Sequence, residues 1–156
     1  MMSRVKNGIV AGLAATAVVS VLEAVNMYVL KIFDPFPRVV AAMVGAPGNM
    51  MVGWLVHLAV GTIVLGAAFA LLYDRLPTKT PAAKGIAFAV GAWVLMMLYI
   101  TMVIPDARAL PAGSGAIFVW MLAMHAIYGV VLGTVFHRME VRSKAHTPPI
   151  GAAPAH

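Results

Sequence analysis

Four long runs of apolar residues, separated by short polar or proline-containing stretches, dominate the pattern along the chain. They cover about residues 8–30, 50–73, 85–104 and 116–136. The apolar core of a bilayer needs about 20 residues of helix, and a backbone in lipid must satisfy its hydrogen bonds within its own segment. The pattern therefore predicts an all-α fold, a four-helix transmembrane bundle at residues 1–140, followed by a disordered tail at residues 141–156.

Composition supports the membrane interpretation. Of the 156 residues, 62% are hydrophobic and 10% are charged, whereas soluble domains carry about 25% charged residues. The chain has no cysteine, which excludes disulfides and thiolate metal sites. The composition indicates that the lipid bilayer is the main partner, with a homo-oligomer or a larger membrane complex as further possibilities.

The basic residues, which give a formal net charge of +6, lie beside the apolar runs. This placement is typical of a membrane surface and does not favour nucleic acid. Eight of the eleven lie in the N-terminus, the second loop and the tail, and three lie on the opposite side. The positive-inside rule then predicts a bacterial inner membrane protein with both termini in the cytoplasm.

The two halves of the chain resemble each other. The second run reads WLVHLAVGTIVLG and the fourth reads WMLAMHAIYGVVLG, while the first and third open KNGIVAG and KGIAFAVG. This similarity predicts two tandem related hairpins, with coincidence among common membrane residues as the alternative. Trp54 and Trp120 are predicted to anchor their helices at the membrane interface. Small residues permit close helix approach, so four glycines are assigned to helix packing: Gly61, Gly66, Gly129 and Gly133.

Three ionisable residues, Glu23, His57 and His125, interrupt the apolar runs at a similar predicted depth. Ionisable groups within a membrane are costly and are functional candidates by default. The first run also carries polar and small residues at helical spacing, which predicts one face turned into the bundle: Gly8, Gly12, Thr16, Ser20, Glu23 and Met27. The simplest interpretation is a set of hydrogen bonds between helices that fixes their packing.

Several functional alternatives use the same residues. His57 and His125 are the pair that a bis-histidine b-type haem needs. Met121 and Met124 next to His125 offer soft ligands to copper, and Glu23 with the two histidines forms a further candidate metal set, suited to zinc. Proton-coupled transport of a small solute through Glu23 and the histidines is a third alternative. An enzyme is disfavoured, because no nucleophile motif or phosphate loop is present.

The chain resembles a family of small four-span bacterial inner-membrane proteins of unknown function. The resemblance rests on AGLAAT at residues 11–16, HLAVGTIVLGAAFALLY at 57–73, KGIAFAVGAW at 84–93, the loop at 105–115, and HAIYGVVLG at 125–133. It implies the four-span fold and brings no activity, and Glu23 is not among the residues that it implies. The expected function is therefore that of a non-enzymatic accessory or binding component of the membrane.

Overall fold

Every regular element in the computed structural model, which describes residues 2–103 and 116–145, is helical. The α-helices are α1 (Met2–Val25), α2 (Phe36–Met43), α3 (Met50–Ala59), α4 (Gly66–Leu72), α5 (Pro81–Val103) and α6 (Ala116–Ala145). A π-helical turn extends α1 over Asn26–Leu30, a second joins α3 to α4 over Val60–Leu65, and a 3-10 turn follows at Tyr73–Arg75.

Four of these helical stretches are long and apolar enough to cross a membrane, which confirms the predicted fold class. We call them spans 1 to 4 in chain order: Met2–Leu30, Met50–Arg75, Pro81–Met102 and Ile117–Ser143.

Several boundaries differ from the prediction, and spans 1 and 3 begin earlier than predicted, at Met2 and Pro81. The loop after span 1 contains the short helix α2, which begins after Pro35 with a proline in its first turn, a position that suits proline. The helix α6 continues to Ala145, so the first five residues of the predicted disordered tail are helical. The rest of that tail and the loop at residues 104–115 lie outside the described residues.

Span 1 packs against both span 2 and span 4, and span 3 packs mainly on span 4. Glycines permit the close approaches. A Cβ atom on Gly8 would collide with the carbonyl oxygen of Gly66, and one on Gly85 would collide with that of Gly129. The four glycines assigned to packing all lie at such contacts, since Gly61 faces the Thr16 side chain and Gly133 faces the Pro81 carbonyl.

One end of the bundle, which we call the basic end, is fastened by polar contacts among all four spans. The Arg4 guanidinium lies 2.7 Å from the Asp74 carboxylate, and Asn7 donates to Glu140 at 2.8 Å. The Lys84 ammonium donates to the Tyr73 carbonyl at 2.7 Å. These contacts join spans 1 and 2, spans 1 and 4, and spans 2 and 3.

Next to the basic end, aromatic rings fill the interior. Phe69 packs against Phe88 and Phe136 at centroid distances of 5.3 and 5.4 Å, and Tyr73 lies 4.9 Å from Phe136. Phe69 and Phe136 are fully buried. Aromatic rings thus fill this half of the bundle in the described residues, and we call the opposite half the cavity end.

Candidate functional site

A cavity of about 420 Å³ lies at the cavity end, between α2, span 2, α5 and α6. Most of its wall is aliphatic, aromatic or thioether surface, with four methionines among the lining residues: Met43, Met96, Met121 and Met124. His57 and His125 both line it. The structure thus brings together the two histidines and the two methionines, Met121 and Met124, that the sequence singled out.

The imidazole of His57 is held on several sides. Its Nε2 atom lies 3.1 Å from the Ser20 hydroxyl, within hydrogen-bond distance. The edges of two aromatic rings also meet it, with Phe36 at a centroid distance of 4.6 Å and Trp54 at 5.8 Å. One ring nitrogen of His57 is therefore already engaged with span 1.

His125 is oriented by its own helix. Its Nδ1 atom lies 2.8 Å from the Met121 carbonyl oxygen, one turn earlier in α6. A carbonyl oxygen can only accept, so the ring donates through Nδ1. This contact fixes the ring orientation and directs the other side of the imidazole away from the helix backbone.

Glu23 is 1% exposed and does not line the cavity within the described part of the chain. Its Oε1 atom accepts from the backbone N–H of Phe36 at 3.0 Å and from the Asn26 amide at 3.5 Å. Phe36 is the first residue of α2, whose N–H has no partner within its own helix. The carboxyl group therefore anchors the start of α2 in the way that a capping side chain does.

Asn26 completes this anchor. Its side-chain amide donates to the Phe33 carbonyl at 3.1 Å and accepts from the Phe33 N–H at 3.1 Å. At the other end of α2, the Tyr99 hydroxyl donates to the Met43 carbonyl at 3.0 Å. Since Phe36 and Met43 both line the cavity, these bonds fix the position of one cavity wall.

The Trp120 side chain faces the interior of the bundle, and its anchoring at the membrane interface stays a prediction. Its ring stacks on Phe33 at a centroid distance of 5.0 Å and lines the cavity. The indole N–H approaches the Glu23 carboxyl group, although neither Trp120 Nε1 nor Glu23 Oε2 has a described partner at hydrogen-bond distance. The packing of the loop at Phe33 explains this placement.

No group of three His, Asp or Glu side chains in the described residues is close enough to hold a metal ion. A zinc site of Glu23, His57 and His125 therefore has no geometry to support it. A proton relay from Glu23 to the histidines is not supported by any described contact between them. The described contacts of Glu23 are with Phe36, Asn26 and Trp120.

Three contributors to the cavity were not predicted from the sequence: α2, Tyr99 and Tyr128. The Tyr128 hydroxyl donates to the Gly61 carbonyl at 2.6 Å, within the π-helical turn of span 2. The tyrosines could have been identified as interior residues, because a tyrosine hydroxyl that is buried needs a hydrogen-bond partner. The amphipathic stretch FPRVVAAM, which lies between Pro35 and Pro47, likewise indicates the short helix α2.

Comparison with known protein families finds a match over most of the chain. A family model described as "Family of unknown function (DUF6789)" matches residues 2–147, nearly all of the chain. No curated protein and no solved structure shows a significant match to it. The predicted resemblance to a family of unknown function is thus confirmed. The membrane location and the bacterial origin of that family stay predictions.

Proposed function

Because the chain belongs to the DUF6789 family of unknown function, its relatives bring no activity, and we propose from its own geometry that it is a non-enzymatic membrane protein that binds an apolar small molecule. The observation that carries this proposal is the cavity of about 420 Å³ at the cavity end. Small-molecule sites have volumes of about 300–1,000 Å³ and combine apolar walls with a few polar groups.

The fixed position of α2 also supports a binding role. Burial of a carboxyl group such as Glu23 is costly unless it is hydrogen-bonded, and here its bonds hold a cavity wall in place. Preorganised walls improve affinity because little order has to be imposed on binding. A purely structural bundle would have no need of a held cavity.

We further propose that the basic end faces the cytoplasm of a bacterial cell and that the cavity end faces the outer side of the inner membrane. The excess of Lys and Arg near the basic end supports this orientation. Duplication of a helical hairpin is proposed as well. It is supported by the close glycine contacts at equivalent positions, Gly8 with Gly66 and Gly85 with Gly133.

The binding proposal is tested by substitutions that place a larger side chain in the cavity or at an exposed position of the same helix. Ala92 lines the cavity, whereas Leu95, three residues later on α5, is 68% exposed toward the lipid side. We expect the wild-type protein in lipid nanodiscs to yield one enriched apolar compound on solvent extraction and mass spectrometry. Ala92→Phe should lose that compound and Leu95→Phe should retain it. Equal content in all three proteins would contradict the proposal.

A metal ligand is the second candidate, favoured by one observation. Metal-binding histidines commonly donate their other ring nitrogen to a carbonyl oxygen, as His125 does to Met121. Haem b and Cu(I), the latter with the neighbouring methionines, are the two forms that the sequence suggested. A Soret band or stoichiometric copper that vanishes in His57→Ala and His125→Ala would establish this candidate, and a colourless, metal-free protein would eliminate it.

A further inference from the structure

The polar atoms of the cavity specify a group that its ligand has to carry, given the proposed binding function. His125 donates through Nδ1 to the Met121 carbonyl at 2.8 Å. A neutral imidazole has one donor and one acceptor nitrogen. Nε2 of His125 is therefore the acceptor, and no hydrogen bond to it is found among the described residues.

The neutral form of His125 is the one that suits this environment. A charged imidazolium in an apolar wall is costly unless an anion pairs with it. None of the described cavity-lining residues is an aspartate or a glutamate. The nearest acid on span 1, Glu23, is bonded to Phe36 and Asn26 instead.

The other imidazole is less available. His57 Nε2 already lies 3.1 Å from the Ser20 hydroxyl, and its ring is enclosed by Phe36 and Trp54. Tyr128 directs its hydroxyl to the Gly61 carbonyl at 2.6 Å, and Tyr99 directs its own to the Met43 carbonyl. The two tyrosine hydroxyls are thus satisfied within the protein, and His57 has one ring nitrogen engaged. His125 keeps an open acceptor at Nε2.

We propose that the cavity ligand is a lipophilic hydroxyl compound, an alcohol or a phenol, whose O–H donates to Nε2 of His125. Its apolar body would lie against the methionines and aromatic rings of the wall, and thioethers adapt well to irregular or aromatic surfaces. A compound that has only acceptors, such as an ether or an ester, would leave the acceptor of His125 unpaired. Hydroxyl selectivity follows from that difference.

The experiment compares two probes that differ in one donor, para-pentylphenol and its methyl ether, para-pentylanisole. Each is titrated calorimetrically into the protein in nanodiscs, with empty nanodiscs as the blank and a correction for partitioning into lipid. We expect the phenol to bind about three- to tenfold more tightly, the range of one net hydrogen bond. Leu95→Phe, on the exposed side of α5, should keep this preference.

His125→Phe keeps a flat ring in the wall and removes the acceptor. The Met121 carbonyl stays satisfied, because the backbone N–H of residue 125 bonds to it in an α-helix. We expect the variant to bind the ether as the wild type does, which shows that the cavity is intact, and to lose the preference for the phenol.

Different failures have different meanings. If the wild type binds both probes equally and Ala92→Phe weakens both, the hydroxyl inference is wrong and the binding function stands. If His125→Phe keeps the preference, the hydroxyl is recognised elsewhere and the assignment to His125 is wrong. If neither probe binds the wild type beyond the blank, both the inference and the proposed function are contradicted.

Discussion

The Glu23 carboxyl group is approached by three hydrogen-bond donors: the Phe36 backbone N–H, the Asn26 amide and the Trp120 indole. Because the groups around this carboxyl are donors, it is suited to holding the structure together by accepting hydrogen bonds. No group that could take a proton from it is found among its described contacts. This environment explains how an ionisable side chain that is 1% exposed is retained in an apolar helix. Its role is that of an anchor for α2.

Two substitutions at Glu23 separate anchoring from proton transfer. Glu23→Leu removes the acceptor and leaves the Phe36 N–H buried without a partner, which costs about 1–3 kcal/mol. Glu23→Gln keeps one acceptor oxygen, so we expect a smaller loss. Thermal unfolding in detergent measures both. Equal and small effects of the two variants would show that the carboxyl group does not anchor α2.

At the residue scale, the sequence predicted positions better than partners. Helical spacing placed Gly8, Gly12, Thr16 and Glu23 on one face, and all four are buried. The depth argument put His57 and His125 in one layer, and both line one cavity. The partner of Glu23 could not be predicted, because it is the backbone N–H of the first residue of α2. The pattern of side chains along a sequence does not show which backbone groups lack a partner.

At the scale of elements, hydropathy located the spans and missed their internal irregularities. The π-helical turn at Val60–Leu65 lies inside a mostly apolar run, and its hydropathy does not distinguish it from an α-helix. Its carbonyl at Gly61 accepts from Tyr128, a residue 67 positions away. Such a turn depends on a tertiary contact, and π-helical turns are frequent at functional sites.

Two glycines on α5 test how the helices pack. A Cβ atom on Gly85 would collide with the Gly129 carbonyl, whereas Gly91 has nothing within 4 Å of that position. We expect Gly85→Ala to lower the free energy of unfolding by about 1–3 kcal/mol through overpacking. Gly91→Ala should leave it unchanged or raise it by about 0.5–1 kcal/mol, because alanine loses less conformational entropy in a helix.

Thermal or denaturant unfolding in one detergent compares the two variants directly, since they share a helix and a substitution. A similar effect at both positions would mean that α5 does not approach α6 as closely as described. The result also bears on the proposed duplication, because Gly85 lies close to Gly133 as well, and Gly8 and Gly66 make the equivalent contact between spans 1 and 2.

At the scale of the whole molecule, the polar contacts divide the bundle into two unlike halves. Arg4, Asp74, Lys84 and Glu140 link all four spans at the basic end, and a closed aromatic cluster lies beside them. The other half is kept open by an anchored α2. Because the bundle is held together at the basic end and contains the cavity at the other end, we expect the ligand to enter at the cavity end.

The absence of cysteine from the sequence makes the proposed orientation directly testable. A single cysteine at Pro47, an exposed residue in the loop after α2, marks the cavity end, and one at Thr80, exposed just before α5, marks the basic end. In intact cells, a membrane-impermeant maleimide should label Pro47→Cys and should reach Thr80→Cys only after permeabilisation. The physical reason is the excess of Lys and Arg at the basic end, which disfavours its passage across the membrane. The reverse labelling pattern would place the cavity toward the cytoplasm, and its ligand would then have to come from inside the cell.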